Sequence, residues 1–120
     1  MVPKIKKLIF FAFPLIFLIS NVSAILISDI KVYPSNEKVT ITWKTDVASN
    51  GSVRYGEAFD YPYGFAHYDL LTDHSLTIEF KIFPNIKYNF LVQSCSQKPF
   101  SCNKTVDLKF TTINCGEEWR

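Results

Sequence analysis

Glycine, histidine and cysteine are all scarce in this chain, and each scarcity removes a class of chemistry. Four glycines among 120 residues leave no Gly-rich loop of the kind that cradles a phosphate or a dinucleotide. Two histidines, His67 and His74, and three cysteines without a Cys-x-x-Cys pair fall short of a tetrahedral zinc site. There is no nucleophile elbow, no His-Glu-x-x-His signature and no Cys–His pairing. Charge of one sign is also lacking. Thirteen Lys and Arg against eleven Asp and Glu give +2, and these charges are interspersed, so nothing draws the chain to nucleic acid or anionic lipid. No internal repeat, low-complexity tract or amphipathic helix is visible. These absences point away from an enzyme and predict neither cofactor nor metal.

What is present begins with an exported N-terminus. Lys4, Lys6 and Lys7 precede an apolar run, Leu8 to Ile19, and Val22-Ser23-Ala24 follows. That is the order of a secretory signal, with cleavage expected after Ala24. The competing reading is an uncleaved membrane anchor, since Leu8 to Ile27 spans 20 residues, although Pro14, Ser20, Asn21 and Ser23 interrupt it. Cleavage would remove three lysines and take the net charge from +2 to −1. The division expected is residues 1–24 as signal or anchor, 25–113 as one domain and 114–120 as a short tail. Secretion or display on the extracytoplasmic surface follows, with the membrane a partner only if the segment is retained.

A domain this small buries a thin core and gains from a staple. Cys95 and Cys102, six residues between them, sit at the end of one expected strand and the start of the next, where a hairpin brings them within bridging distance. Cys102 with Cys115 is disfavoured, because the strand between them would hold them about 30 Å apart at about 3.3 Å per residue. Cys115 is then a free thiol, an intermolecular link, or one whose partner lies elsewhere.

The rest reads as short strands and turns. Glu37 to Thr45 alternates cleanly, with Val39, Ile41 and Trp43 on one face and Lys38, Thr40, Thr42 and Lys44 on the other. Ile25 to Tyr33 precedes it. Ser49-Asn50-Gly51 reads as a turn leading to a short strand, Ser52 to Gly56. Glu57 to Gly64 is irregular, and Phe65 to Asp69 is a short edge strand. Leu76, Ile78, Phe80 and Ile82 share a face in Ser75 to Phe83. Tyr88, Phe90 and Val92 follow, then a loop at Ser96 to Ser101, and Val106, Leu108 and Phe110 close the chain. Seven short antiparallel strands, wet on one face and dry on the other, predict an all-β sandwich.

Several segments resemble fibronectin type III domains. Trp43 lies in Val-Thr-Ile-Thr-Trp-Lys-Thr, and Ile82-Phe-Pro84-Asn-Ile-Lys-Tyr88-Asn-Phe90-Leu-Val92 is similar to the Leu-x-Pro-x-x-x-Tyr-x-x-x-Val segment of that family. The closing Phe110-Thr-Thr112 is also familiar. Thr45-Asp46-Val-Ala-Ser49-Asn50-Gly-Ser52-Val53-Arg54-Tyr55-Gly56 with Asp73-His74-Ser-Leu76-Thr-Ile78 resembles the fibronectin-like domain preceding purple acid phosphatases and the domains of many prokaryotic surface proteins. The resemblance covers about residues 28 to 112. It implies a seven-stranded, immunoglobulin-like sandwich in which Tyr88 forms the corner between the layers. It implies an accessory module that spaces, docks or adheres, without phosphatase activity, whose dimetal centre belongs to a separate domain.

The candidate sites follow. Trp43 is expected in the core, where its loss would cost about 3–5 kcal/mol. His74, beside Asp73 and near Asp69, reads with His67 as a turn or strand-start histidine, because no spacing gathers further ligands. Phe59, Tyr61, Tyr63, Phe65 and Tyr68 are the one suggestive surface. They either fold over the thin core as a cap or present rings to a sugar or protein partner. Asn50-Gly-Ser52 and Asn103-Lys-Thr105 are glycosylation sequons expected in loops. The reading is a non-catalytic exported module for protein contact, adhesion or spacing. The alternatives are a small carbohydrate- or ligand-binding module and an accessory domain beside a separately encoded hydrolase.

Overall fold

A computed structural model describes residues 25–114. The segment expected as signal or anchor, Cys115 and nearly all of the expected tail lie outside the described residues. Six strands follow one another: β1 (Ile27–Pro34), β2 (Val39–Gly56), β3 (Tyr63–Ile78), β4 (Lys87–Gln97), β5 (Phe100–Lys104) and β6 (Leu108–Thr111). All pairings are antiparallel, and no helix occurs among the described residues. The fold class read from alternation is therefore the one observed: all-β, with the strands in a single curled sheet.

The curl originates in β2. Its first half pairs with β1 on one side (Val32 opposite Ile41) and with the end of β3 on the other (Ile41 opposite Leu76). Its second half pairs with the beginning of β3 (Val53 opposite Phe65) and with β4 (Val53 opposite Val92). Between the halves the register shifts at Lys44, Ser49 and Gly51. Val39, Ile41, Trp43 and Thr45 before the shift, and Ser49, Gly51, Val53 and Tyr55 after it, all face inward and are buried, while Val47 at the crest is exposed. Eight residues of straight strand span about 26 Å. Yet the Trp43 ring lies against Gly51, where an added Cβ would overlap ring atom Cζ2. The strand folds its inner face onto itself. β3 does the same, bringing the imidazoles of His67 and His74 within 5.0 Å between centroids.

The enclosed core holds Val39, Ile41, Trp43, Val53, Tyr55, Leu76, Ile78, Ile82, Tyr88, Phe90, Val92 and Phe110. Tyr88 stacks on Phe110, with centroids 5.2 Å apart. Its hydroxyl accepts from the Phe83 amide at 2.8 Å and donates to the Lys81 carbonyl at 3.1 Å, clamping the β3–β4 connection. Thr112 closes the same connection, its hydroxyl donating to the Phe83 carbonyl and accepting from the Ile86 amide.

Among the described residues six strands stand where seven were expected, and the differences have physical causes. Ser49-Asn50-Gly51 is not a turn. Gly51 meets a need for space beneath Trp43, and no positive φ is required there. Asn50 accepts the Cys95 amide through its side chain, 3.0 Å away, holding the bend to β4. The expected strands Phe65 to Asp69 and Ser75 to Phe83 are both parts of β3, joined through residues that continue the ladder with β2. β3 ends at Ile78, and the chain turns, with Lys81 at φ 58° and the Ile82 amide donating to the Glu79 carbonyl. Phe80 therefore leaves the face of Leu76 and Ile78 and is exposed. The loop expected at Ser96 to Ser101 shrinks to Lys98-Pro99 between β4 and β5. Val106 lies in the break between β5 and β6 and is exposed.

Candidate functional site

The five rings expected to form one surface separate into three environments. Phe59 is exposed beneath the Lys109 ammonium, 5.2 Å from its centroid. Tyr61 is not extended, having φ 46°, and its hydroxyl donates to the Asp107 carboxylate. That hydrogen bond, with some desolvation, pushes the phenol up to about 12. Tyr63 turns inward and packs on Tyr55 and Phe80, each 5.7 Å away. The Tyr55 hydroxyl donates to the Phe80 carbonyl at 2.6 Å, and burial pushes this phenol to about 12. Tyr63 thus packs against the core, whereas Tyr61 shares the Asp107–Lys109 pair with Phe59 and cannot line up with its neighbours because the chain turns there.

Phe65 (48% exposed) and Tyr68 (83%) remain open on β3. β3 pairs only with β2 among the described residues, so its other edge is unpaired. Phe65 stands at that edge on the inner side, opposite Val53. Tyr68 stands on the outer side, where the small Gly64 and Ala66 beside Arg54 and Ser52 leave a shallow depression. The Arg54 guanidinium is held by the Tyr61 carbonyl at 2.7 Å and the Tyr63 carbonyl at 3.3 Å, so it fixes the preceding loop to the sheet. A ring lying open beside an unpaired strand edge can take apolar and backbone contacts together.

The histidines occupy neither a turn nor a strand start. Both lie within β3 and meet at its bend, a juxtaposition that strand periodicity cannot reveal because 67 and 74 have opposite parity. His67 Nε2 and His74 Nδ1 are 2.9 Å apart, and His74 Nε2 lies 2.9 Å from the Thr45 hydroxyl. Thr45 in turn donates to the Val47 carbonyl and accepts from Ser49. One orientation serves the shortest contacts together: His67 donates to His74, His74 to Thr45, and Thr45 to Val47. It leaves His67 Nδ1 as a bare acceptor, and that atom is buried without a partner. His74 stacks on Trp43 at 4.9 Å and 6° between planes, while Trp43 Nε1 donates to the Ser94 hydroxyl at 3.0 Å. Burial, then repulsion from His67, holds His74 below its ordinary value, with Asp73 opposing. Trp43, Thr45, Ser49, His74 and Ser94 are all buried, and His67 is half-buried. Among the described residues no three His, Cys, Asp or Glu side chains converge as a metal group.

Cys95 and Cys102 are opposite one another in the β4–β5 ladder and are joined by a disulfide. Asn50 and Asn103 lie in strands where loops were expected. The Asn50 side-chain oxygen accepts the Cys95 amide, and the Asn103 side-chain nitrogen donates to the Ile25 carbonyl at 2.6 Å. No family model matches this chain, and no curated protein or solved structure matches it either.

Proposed function

We propose that the chain is an exported, non-catalytic module of fibronectin type III kind that makes contacts or sets spacing at a cell surface. The observation that carries this reading is the doubled bend of β2 and β3. Each pairs in two halves, β1–β2–β3 on one side and β3–β2–β4 with β5 and β6 on the other; with β5 and β6 taken as one interrupted strand along β4, that pairing supports a seven-segment sandwich in which two crossings are drawn out as strand. The Tyr88 hydroxyl, bonded five and seven residues upstream, supports the same assignment. A cross-strand disulfide suits an oxidising compartment. His74, Thr45 and Ser49 bond to one another in the interior, whereas the open rings of Phe65 and Tyr68 line an unpaired edge. Such a distribution suits adhesion better than turnover.

The full chain carrying a C-terminal epitope tag tests the reading. Protease applied to intact cells should remove the tag while a cytoplasmic marker survives. A tag that is protected until the cells are lysed would refute export. Contact is tested with Phe65→Ser plus Tyr68→Ser, which should abolish cell–cell or cell–matrix adhesion conferred by the chain at an unchanged melting temperature. Tyr68 above its shallow depression favours a second reading, a carbohydrate-binding face, for which a glycan array would show Tyr68-dependent retention.

A further inference from the structure

One end of the domain is apolar, and the N-terminal segment joins it there. The Ile25 carbonyl is held by Asn103, the Leu26 amide donates to the Asp46 carboxylate at 3.0 Å, and the Asp46 amide returns to the Leu26 carbonyl. Around this clamp stand the crest of β2 at Val47, the bend of β3 at Leu70 and Leu71, and the β4–β5 hairpin at Lys98-Pro99-Phe100. Val47, Leu70 and Pro99 line one depression of about 420 Å³ between these three segments. Leu26 (62%), Phe100 (71%), Val47, Leu70 and Leu71 are all exposed. The charges there are few: Lys98, Asp69 and an Asp46 already bonded to Leu26. The opposite end mixes Phe80 and Phe83 with Glu37, Lys38, Glu79 and Lys81.

The sequence names what covers the apolar end. Five residues, Ser20 to Ala24, separate the apolar run ending at Ile19 from Ile25, a reach of about 20 Å even fully extended. Ile25 is buried in the domain and Ile27 is paired with Thr45, so neither is free to cross a bilayer. Leu8 to Ala24 is what remains, 17 residues. Crossing as a helix, they would cover about 25 Å of a hydrocarbon layer about 30 Å thick. No spare length would hold the domain clear of the headgroups.

We propose that the apolar run is retained as an anchor and that Leu26, Val47, Leu70, Leu71 and Phe100 rest on the lipid surface, fixing the domain with its β3 edge facing sideways. The inference rests on the export reading above. Full chain carrying Cys115→Ser and one of Leu70→Cys, Phe100→Cys or Glu37→Cys, labelled with an environment-sensitive dye, is reconstituted in phosphatidylcholine vesicles containing spin-labelled lipid. Quenching of at least twofold is expected at positions 70 and 100 and none at 37. Equal quenching at all three, or none at 70 and 100, overturns the proposal. Adding Leu26→Asp and Val47→Asp should lower quenching at 100 to the level at 37 with an unchanged circular dichroism spectrum. Retained quenching in that folded variant also overturns the proposal. Recovery of chain beginning at Ile25 from the medium sinks the anchor and leaves export standing, whereas a protected tag on intact cells sinks the export reading itself.

Discussion

Gly51→Ala is the sharpest probe of the folded-over strand. At an ordinary strand position with negative φ, replacing glycine by alanine stabilises a chain by about 0.4–1 kcal/mol through the unfolded state. Here the sign should reverse. The new methyl would overlap Trp43 Cζ2 and sit 2.8 Å from His67 Nε2 and 3.1 Å from Trp43 Cη2. The indole has nowhere to go: it is buried, stacked on His74, and bonded to Ser94. Overpacking of this kind costs about 1–3 kcal/mol, and displacing the indole also forfeits a buried hydrogen bond worth about 1 kcal/mol. A net loss of about 2–4 kcal/mol follows, or a fall of roughly 1–2 M in the urea midpoint for a domain of this size. Unfolding followed by circular dichroism in urea measures it. Repeating the substitution on Trp43→Phe, where the ring is smaller, should cut the penalty by more than about 1 kcal/mol, a coupling only touching residues show. A Gly51→Ala chain as stable as the parent would refute the close approach of the two halves of β2, and with it the two-layer reading.

The remaining expectations concern stability. His74 is held below its ordinary 6.5 by burial and by His67, so the unfolded chain binds the proton more readily. Stability should be full above about pH 6.5 and fall as pH drops below it, at up to about 1.4 kcal/mol per pH unit for one proton; urea midpoints between pH 7.5 and 5 that stay flat, or that decline equally in His74→Gln, would contradict this. Tyr88→Phe strips partners from the Phe83 amide and the Lys81 carbonyl and should cost about 1–3 kcal/mol, while Tyr63→Phe should stay within about 0.5 kcal/mol. Reducing the Cys95–Cys102 bridge, which closes a separation of seven residues, should lower stability by about 2–3 kcal/mol, read from melts with and without reductant.

The sequence carried the periodicity of each half-strand and missed where the halves join. Val39, Ile41 and Trp43, like Tyr88, Phe90 and Val92, declare their buried face by alternation alone. Trp43 is expected in the core from the face it shares with Val39 and Ile41, Tyr88 from the corner position that the resemblance implies, and both side chains are buried. A bend within a strand leaves no such mark. Ser49-Asn50-Gly51 has the composition of a turn, because the same small and amide-bearing residues serve a bend equally well. Gly51 admits an indole, and Asn50 replaces a lost ladder bond. Phe59 to Phe65 misled for the related reason that alternation was projected through a segment where Tyr61 has positive φ. The histidine network had no sequence signal at all, since its members come from residues 45, 49, 67 and 74 and meet only after both strands fold over.

That network explains how a bent strand is held without a loop. A bulge interrupts the ladder and leaves backbone groups without partners. At the bend of β2 the Thr45 hydroxyl takes the Val47 carbonyl and Asn50 takes the Cys95 amide, while His74, stacked on Trp43, ties the bend of β3 to the bend of β2. The two bends thereby become short crests within continuous strands. Their outward residues, Val47 on one and Leu70 and Leu71 on the other, cannot fold back over the core, because the inner positions beside them are already filled by buried Ser49 and His74. The exposed apolar end is thus a consequence of the way the sheet is closed. Whatever surface meets it must accept a shallow apolar relief, as a bilayer does.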